Sequence, residues 1–135
     1  MRRYLLDTGA AGDYLARRKG VFPRAKEEVA HGNRIGICVP VLGELYFGIE
    51  LSASRDKNLQ RLRRDLPTLT IWPFDSAAAV EYGRLAAELR RLGRPMQQID
   101  IQIAAIAFSL GNCTVVSGDS DLAAVPELTV ENWAE

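Results

Sequence analysis

Four short apolar runs, at residues 3–6, 34–39, 69–74 and 113–116, punctuate the chain, and the segments between them carry helical periodicity. Strands that alternate with helices imply a mainly parallel sheet covered on both faces, because a parallel pair needs a long crossover to return the chain. A weaker stretch at 128–130 adds a short edge strand. Turns are read at Thr8 and Gly9 and at 117–120, just beyond the first and fourth runs. Helices are read at 11–19 and at 23–31, the second opened by Pro23 and closed by Gly32. Another starts at Pro40 and repeats Leu42, Leu45, Tyr46 and Ile49; the next, with Ser54 as its cap, aligns Leu59, Leu62 and Leu66 and stops at Pro67. After a cap at Asp75 or Ser76, a long helix aligns Ala78, Tyr82, Leu85, Ala86 and Leu89 before Gly93 and Pro95. The last runs from Ile101 to Leu110 and is ended by Gly111, with Asp100 at its start and small residues Ala104, Ala105 and Ala107 suited to close packing on the sheet.

A chain of 135 residues suits one compact domain spanning 1–135. Lysines and arginines number 17, as do aspartates and glutamates, so any contact with a polyanion must come from a local patch. No apolar run reaches the length of a membrane span, and the apolar start is too short for a signal peptide, so cytoplasmic residence is expected. Cys38 and Cys113 lie inside apolar runs and read as buried free thiols.

In an open parallel sheet the functional crevice lies beyond the carboxyl ends of the strands. Asp7 follows the first run, Glu44 the second, Asp100 opens the helix leading to the fourth, and Asp119 follows the fourth, with Asp121 two residues on. Each alone has a structural use as cap, turn former or solvated helix residue. Their joint placement at one sheet edge points instead to a carboxylate pocket that needs a cation to relieve its repulsion. Mg²⁺ suits such oxygen donors; zinc lacks its ligands, because the cysteines sit in strands and His31 stands alone beside Gly32 at a helix end. A cation held this way can activate water against a phosphodiester, which is nuclease chemistry.

The opening LLDTG, the segment VPVLGELYFGIELS around Glu44, FDSAAAVEYGRLAAELRRLGRPM, DIQIAAIAFSLG from Asp100, and VVSGDSDLAAVPELTVENW follow one another in order. This set resembles the PIN-domain family nearly end to end, and more narrowly the VapC-type ribonuclease toxins of bacterial toxin–antitoxin pairs. The resemblance implies a three-layer α/β/α fold around a five-stranded sheet. It also implies Mg²⁺ or Mn²⁺ dependence, and RNA cleavage leaving a 5′-phosphate and a 3′-hydroxyl. Asp7, Glu44, Asp100 and Asp119 would be both metal ligands and catalytic acids, with Thr8, Ser117 and Asp121 as auxiliaries. Gly9 stands where many relatives carry Asn, and SGDSDL is one residue tighter than the common form, so either Asp119 or Asp121 is the fourth acid. The expected partners are a VapB-type antitoxin, an RNA substrate and a second copy of the chain, with no membrane.

RNA needs cations at the rim of an acidic site. Arg61, Arg63 and Arg64 form one cluster and Arg90, Arg91 and Arg94 another, of which Arg91 and Arg94, just before Asp100, are the candidate phosphate contacts. Tyr46, Phe47 and Leu51 offer apolar surface to a partner, with at least one of them expected in the core. Two other classes compete. One is a catalytically silent metal-binding PIN module acting through protein partners. The other is a receiver-like phosphoacceptor, disfavoured because no lysine follows Val116.

Overall fold

A computed structural model describes residues 1–135. Five parallel strands, β1 (Arg3–Leu6), β2 (Arg34–Cys38), β3 (Thr70–Trp72), β4 (Cys113–Val116) and β5 (Val130–Glu131), form one sheet in the order β3-β2-β1-β4-β5. Between β1 and β2 run α1 (Thr8–Ala16) and α2 (Val21–Ala30). Between β2 and β3 run α3 (Val39–Leu51), α4 (Arg55–Asp65) and a 3₁₀ turn at Leu66–Thr68. The path from β3 to β4 carries α5 (Ser76–Arg91) and α6 (Gln98–Leu110), and α7 (Ser120–Ala123) precedes β5. The chain moves outward from β1 through β3 and then crosses back to β4. Right-handed crossovers therefore place the α5–α6 pair on the face opposite the earlier helices.

The strands are apolar on both sides because both faces are covered. Tyr4, Leu5, Leu6, Ile35, Ile37, Val115 and Val116 are buried. On α6, Ala104 and Ala107 bury beside Ile103 and Ile106, and their small side chains let the helix lie close to β4. Gly36 has a steric reason: a side chain there would collide with the Thr70 carbonyl and the Trp72 ring on the neighbouring strand. No helix is long and apolar enough to cross a membrane.

Several boundaries differ from those expected. No turn follows β1: α1 begins at Thr8 because the Asp7 side chain caps it, accepting the Ala10 N–H at 2.7 Å. The second helix starts at Val21, with Pro23 its third residue, and α3 starts one residue ahead of Pro40. Ser54 occupies the cap position of α4 without making a side-chain hydrogen bond, whereas Asp75 does cap α5. The third strand narrows to three residues, the last strand shifts to Val130–Glu131, and Ser120 already belongs to a helical turn. Tyr46, Phe47 and Leu51 are all exposed, so none joins the core; α3 buries Val41 and Ile49 instead. Cys38 is buried and Cys113 partly so; both are free, and burial pushes their thiols up to about 11 and about 12.

Candidate acidic site

Strand β1 sits between β2 and β4, and the chain leaves β1 and β4 in opposite lateral directions, so the sheet's topological switch point lies between them. Loops diverge there and open a crevice. The register pairs Leu6 with Val116, and the Asp7 N–H still donates to the Val116 carbonyl at 3.0 Å, which places Asp7 opposite Ser117 at the crevice floor. Asp7, Thr8, Glu44, Asp100, Ser117 and Asp119 all line one cavity of about 580 Å³. Four separate stretches of chain meet in it.

Asp7 is buried, and its carboxylate accepts the Ala10 N–H. Burial raises its pKa, the neighbouring Ser117 hydroxyl and the Ala10 N–H oppose the rise, and the negative charges of Asp119 and Asp13 add to it. Ser117 is itself buried, and its Oγ accepts the Asp119 N–H at 2.9 Å, so one hydroxyl links the ends of β1 and β4. Asp100 stands in the first turn of α6, inside the helix rather than before it, and is 9% exposed. Its carboxyl is pushed up to about 6, first by burial and then by the charges of Asp119, Asp7 and Asp121. Asp119 caps α7 by accepting the Asp121 N–H at 2.7 Å.

Carboxylate oxygens of Asp100, Asp119 and Asp121 all lie within 4.8 Å of one another. Asp7 and Glu44 share the cavity without joining that tight group, so the expected gathering of all the acids within a few ångströms is only partly realised. The reasons are local. Asp7 is pinned by its cap, and Glu44 stands on an exposed turn of α3, where the acidic cavity adjoins two neighbouring clefts. Both Asp119 and Asp121 approach Asp100, the first from the cavity lining and the second from its exposed edge.

The donor set is entirely oxygen: carboxylates with hydroxyls behind them. It suits a hard divalent cation and offers nothing for zinc, since neither His31 nor either cysteine lines the cavity. Burial and the neighbouring carboxylates favour the protonated form of Asp100, and a cation would reverse that.

Neither Arg91 nor Arg94 lines the main cavity. Arg94 shares a smaller cleft with Asp121, while Arg91 is exposed on the last turn of α5. Four polar lining residues escaped the sequence reading: Asp13, Lys19, Gln97 and Asn132. Asp13 and Gly9 are four residues apart on α1, a pairing hidden as long as the helix was taken to begin at residue 11. Asn132 and Lys19 come from irregular segments, where no periodicity signals orientation.

The sequence profile of the PIN domain matches residues 4–128. A Haemophilus influenzae protein named Ribonuclease VapC2 is 31% identical over 135 residues, covering 98% of this chain and 99% of its own. A Shigella flexneri protein named tRNA(fMet)-specific endonuclease VapC is 29% identical over 134 residues, covering 99% and 100%. Among solved structures, the DNA-bound VapBC of Salmonella typhimurium superposes with a TM-score of 0.89 at 27% identity, covering 99% of this chain and 100% of that one.

Proposed function

The chain belongs to the PIN-domain family, among the VapC ribonucleases of VapBC toxin–antitoxin systems, and on that premise we propose that its acidic cavity is a Mg²⁺-dependent endoribonuclease site. The observation that carries the reading is the convergence of Asp7, Glu44, Asp100 and Asp119 from four chain segments on one cavity at the switch point. Carboxylates this close are useful only with a cation among them. Asp100 and Asp119, with Asp7 from the floor and Glu44 from α3, would hold Mg²⁺, with Mn²⁺ as a substitute. When bound, the ion supplies a Lewis acid for the phosphoryl oxygens and a water of lowered pKa for in-line attack.

The chain's own residues do the positioning. The Ala10 N–H, held by Asp7 Oδ1, fixes the orientation of the Asp7 carboxylate, with the Ser117 hydroxyl near it. Thr8, the first residue of α1, lines the wall beside Asp7 and orients it or a nearby water. Asp121 acts as an auxiliary acid at the exposed edge. Arg94 beside Asp121, with Arg91 one turn back, steers RNA phosphates toward the mouth. Purified protein is expected to cleave cellular RNA with Mg²⁺ or Mn²⁺, to stop on chelation, and to leave 5′-phosphate ends. In the same assay, combining Arg91→Glu with Arg94→Glu raises KM about tenfold at low salt. A folded, metal-loaded protein that leaves RNA intact would point to the silent binding module instead.

A VapB-type antitoxin, homodimerisation and residence in the cytoplasm belong to the same reading. They draw support from the VapBC complexes that share the fold and from the exposed Tyr46, Phe47 and Leu51 on α3. Co-expression with the neighbouring gene is expected to yield a complex whose mass by light scattering contains two copies of this chain; free monomer alone would remove the partner assignments.

A further inference from the structure

Between α1 and α2 the backbone turns sharply. Arg17, Lys19 and Gly20 take positive φ of 57°, 58° and 75°, so two residues with side chains occupy the left-handed region within three positions. Each such residue costs on the order of 1 kcal/mol and persists only where its surroundings hold it. The surroundings are visible. Arg17 pairs with buried Asp65 at 2.7 Å, with its guanidinium 3.5 Å from the Phe22 ring centroid. Arg18 pairs with Asp13 at 3.5 Å. The Glu135 N–H donates to the Lys19 carbonyl at 2.9 Å, and the Glu135 carboxylate lies over Gly20.

The segment reaching Glu135 is anchored in turn. Trp133 is buried against Tyr4, donates from its indole N–H to Glu131 at 2.9 Å, and lies under Arg24. The outcome is that Lys19 lines the cavity to which Asp7, Asp13, Asp100 and Asp119 also belong. Ion pairs engage Arg17, Arg18, Arg24, Arg55, Arg64 and Arg84, and Lys19 takes part in none. A free cation held at the mouth of a carboxylate pocket faces whatever anion enters.

We propose that Lys19 is a phosphate-binding residue, gripping the backbone of the RNA at the cavity mouth, and that the strap from Trp133 to Glu135 holds its turn in place. This rests on the ribonuclease reading and adds to it the residue that receives the substrate. A lysine suits the task as a mobile point charge that can follow a phosphate without fixing a base, whereas the acids around it set where the chain is cut.

The test is binding of a fluorescein-labelled single-stranded RNA of mixed sequence, in chelator so that nothing is cleaved, over a salt series. Lys19→Gln is expected to weaken binding about tenfold at low salt and to flatten the slope of log affinity against log salt by about 0.7. Lys19→Arg restores both, and calorimetric Mn²⁺ binding stays at the wild-type level or tightens. Glu135→Pro, which deletes the N–H donated to Lys19, reproduces part of the loss, while Glu135→Ala leaves affinity unchanged or tighter. Wild-type affinity and slope in Lys19→Gln would overturn the proposal while RNA cleavage by the wild type still stood. A Lys19→Gln protein with weakened Mn²⁺ binding or a lowered melting temperature, and unaltered RNA binding, overturns it in favour of a structural lysine. Glu135→Pro at wild-type affinity removes the strap. A wild-type protein that neither binds nor cuts RNA overturns the ribonuclease reading and this proposal together.

Discussion

Asp100→Asn and Asp7→Asn proteins are expected to fold normally and to lose RNA cleavage by more than about a hundredfold, since residues that merely support a metal ligand already cost 10–100-fold. The two losses have different origins. At Asp100 the substitution keeps the shape of a buried side chain in the first turn of α6 but removes a carboxylate oxygen from the group it forms with Asp119 and Asp121. At Asp7 the asparagine can still accept the Ala10 N–H and so preserve the cap of α1, while the charge facing the cavity disappears. Single-turnover cleavage with circular dichroism checks both claims. A variant that keeps native helicity and wild-type cleavage would remove that residue from the site; one that unfolds would show that the acid serves the fold first.

Stability of the metal-free protein should fall as pH rises from about 4 to about 6 and then level off. Asp100 loses its proton near 3.8 in the unfolded chain but only at about 6 in the fold. Across that window the native state holds a proton that the unfolded state has released, so the advantage of folding shrinks as pH climbs. The change is on the order of 1–2 kcal/mol, below the full linkage value because the cavity opens to solvent. Removing the charge in Asp100→Asn should flatten the curve and raise the melting temperature at pH 7 by a few degrees, about 2–6 °C. Mg²⁺ should reverse the order: it stabilises the wild type above pH 6, where the carboxylate is free to bind, releases protons on binding near that pH, and does little for the variant. Melting curves in chelator and in Mg²⁺ across pH 4 to about 8 measure this. Wild type and Asp100→Asn tracing one curve in both media would show that the carboxylates do not interact.

These two behaviours are opposite faces of one arrangement. The burial and like charge that raise the Asp100 pKa would also favour a bound cation, so on the proposed reading the cost to stability and the affinity for a cation would come from the same few side chains. Neutralising the acids to stabilise the protein should therefore abolish its chemistry, a trade-off of the kind expected where function depends on groups the fold alone would not choose.

What the sequence determined by itself is the parallel sheet, and it named the acids that line the cavity as candidates. The runs ending at Leu6, Cys38 and Val116 are apolar on both faces, and that pattern leaves no arrangement but a covered parallel sheet. Asp7, immediately beyond β1, and Asp119, in the short loop beyond β4, are legible because such positions lie at the carboxyl edge of the sheet, where the crevice opens. Element limits were less legible where a side chain caps a helix: Thr8 and Gly9 read as a turn, but the Asp7 carboxylate caps α1 there, and Asp119 likewise caps α7 where a turn was read at 117–120. Tertiary structure alone decided which acids crowd Asp100, that Glu44 stays on an exposed turn of α3, and that the exposed face of α3 keeps Tyr46 and Phe47 out of the core. It alone brought Asp13, Lys19 and Asn132 to the cavity. Periodicity reports how a residue faces its own helix or strand, whereas these positions depend on left-handed backbone turns and on contacts between segments more than a hundred residues apart, such as Lys19 with Glu135.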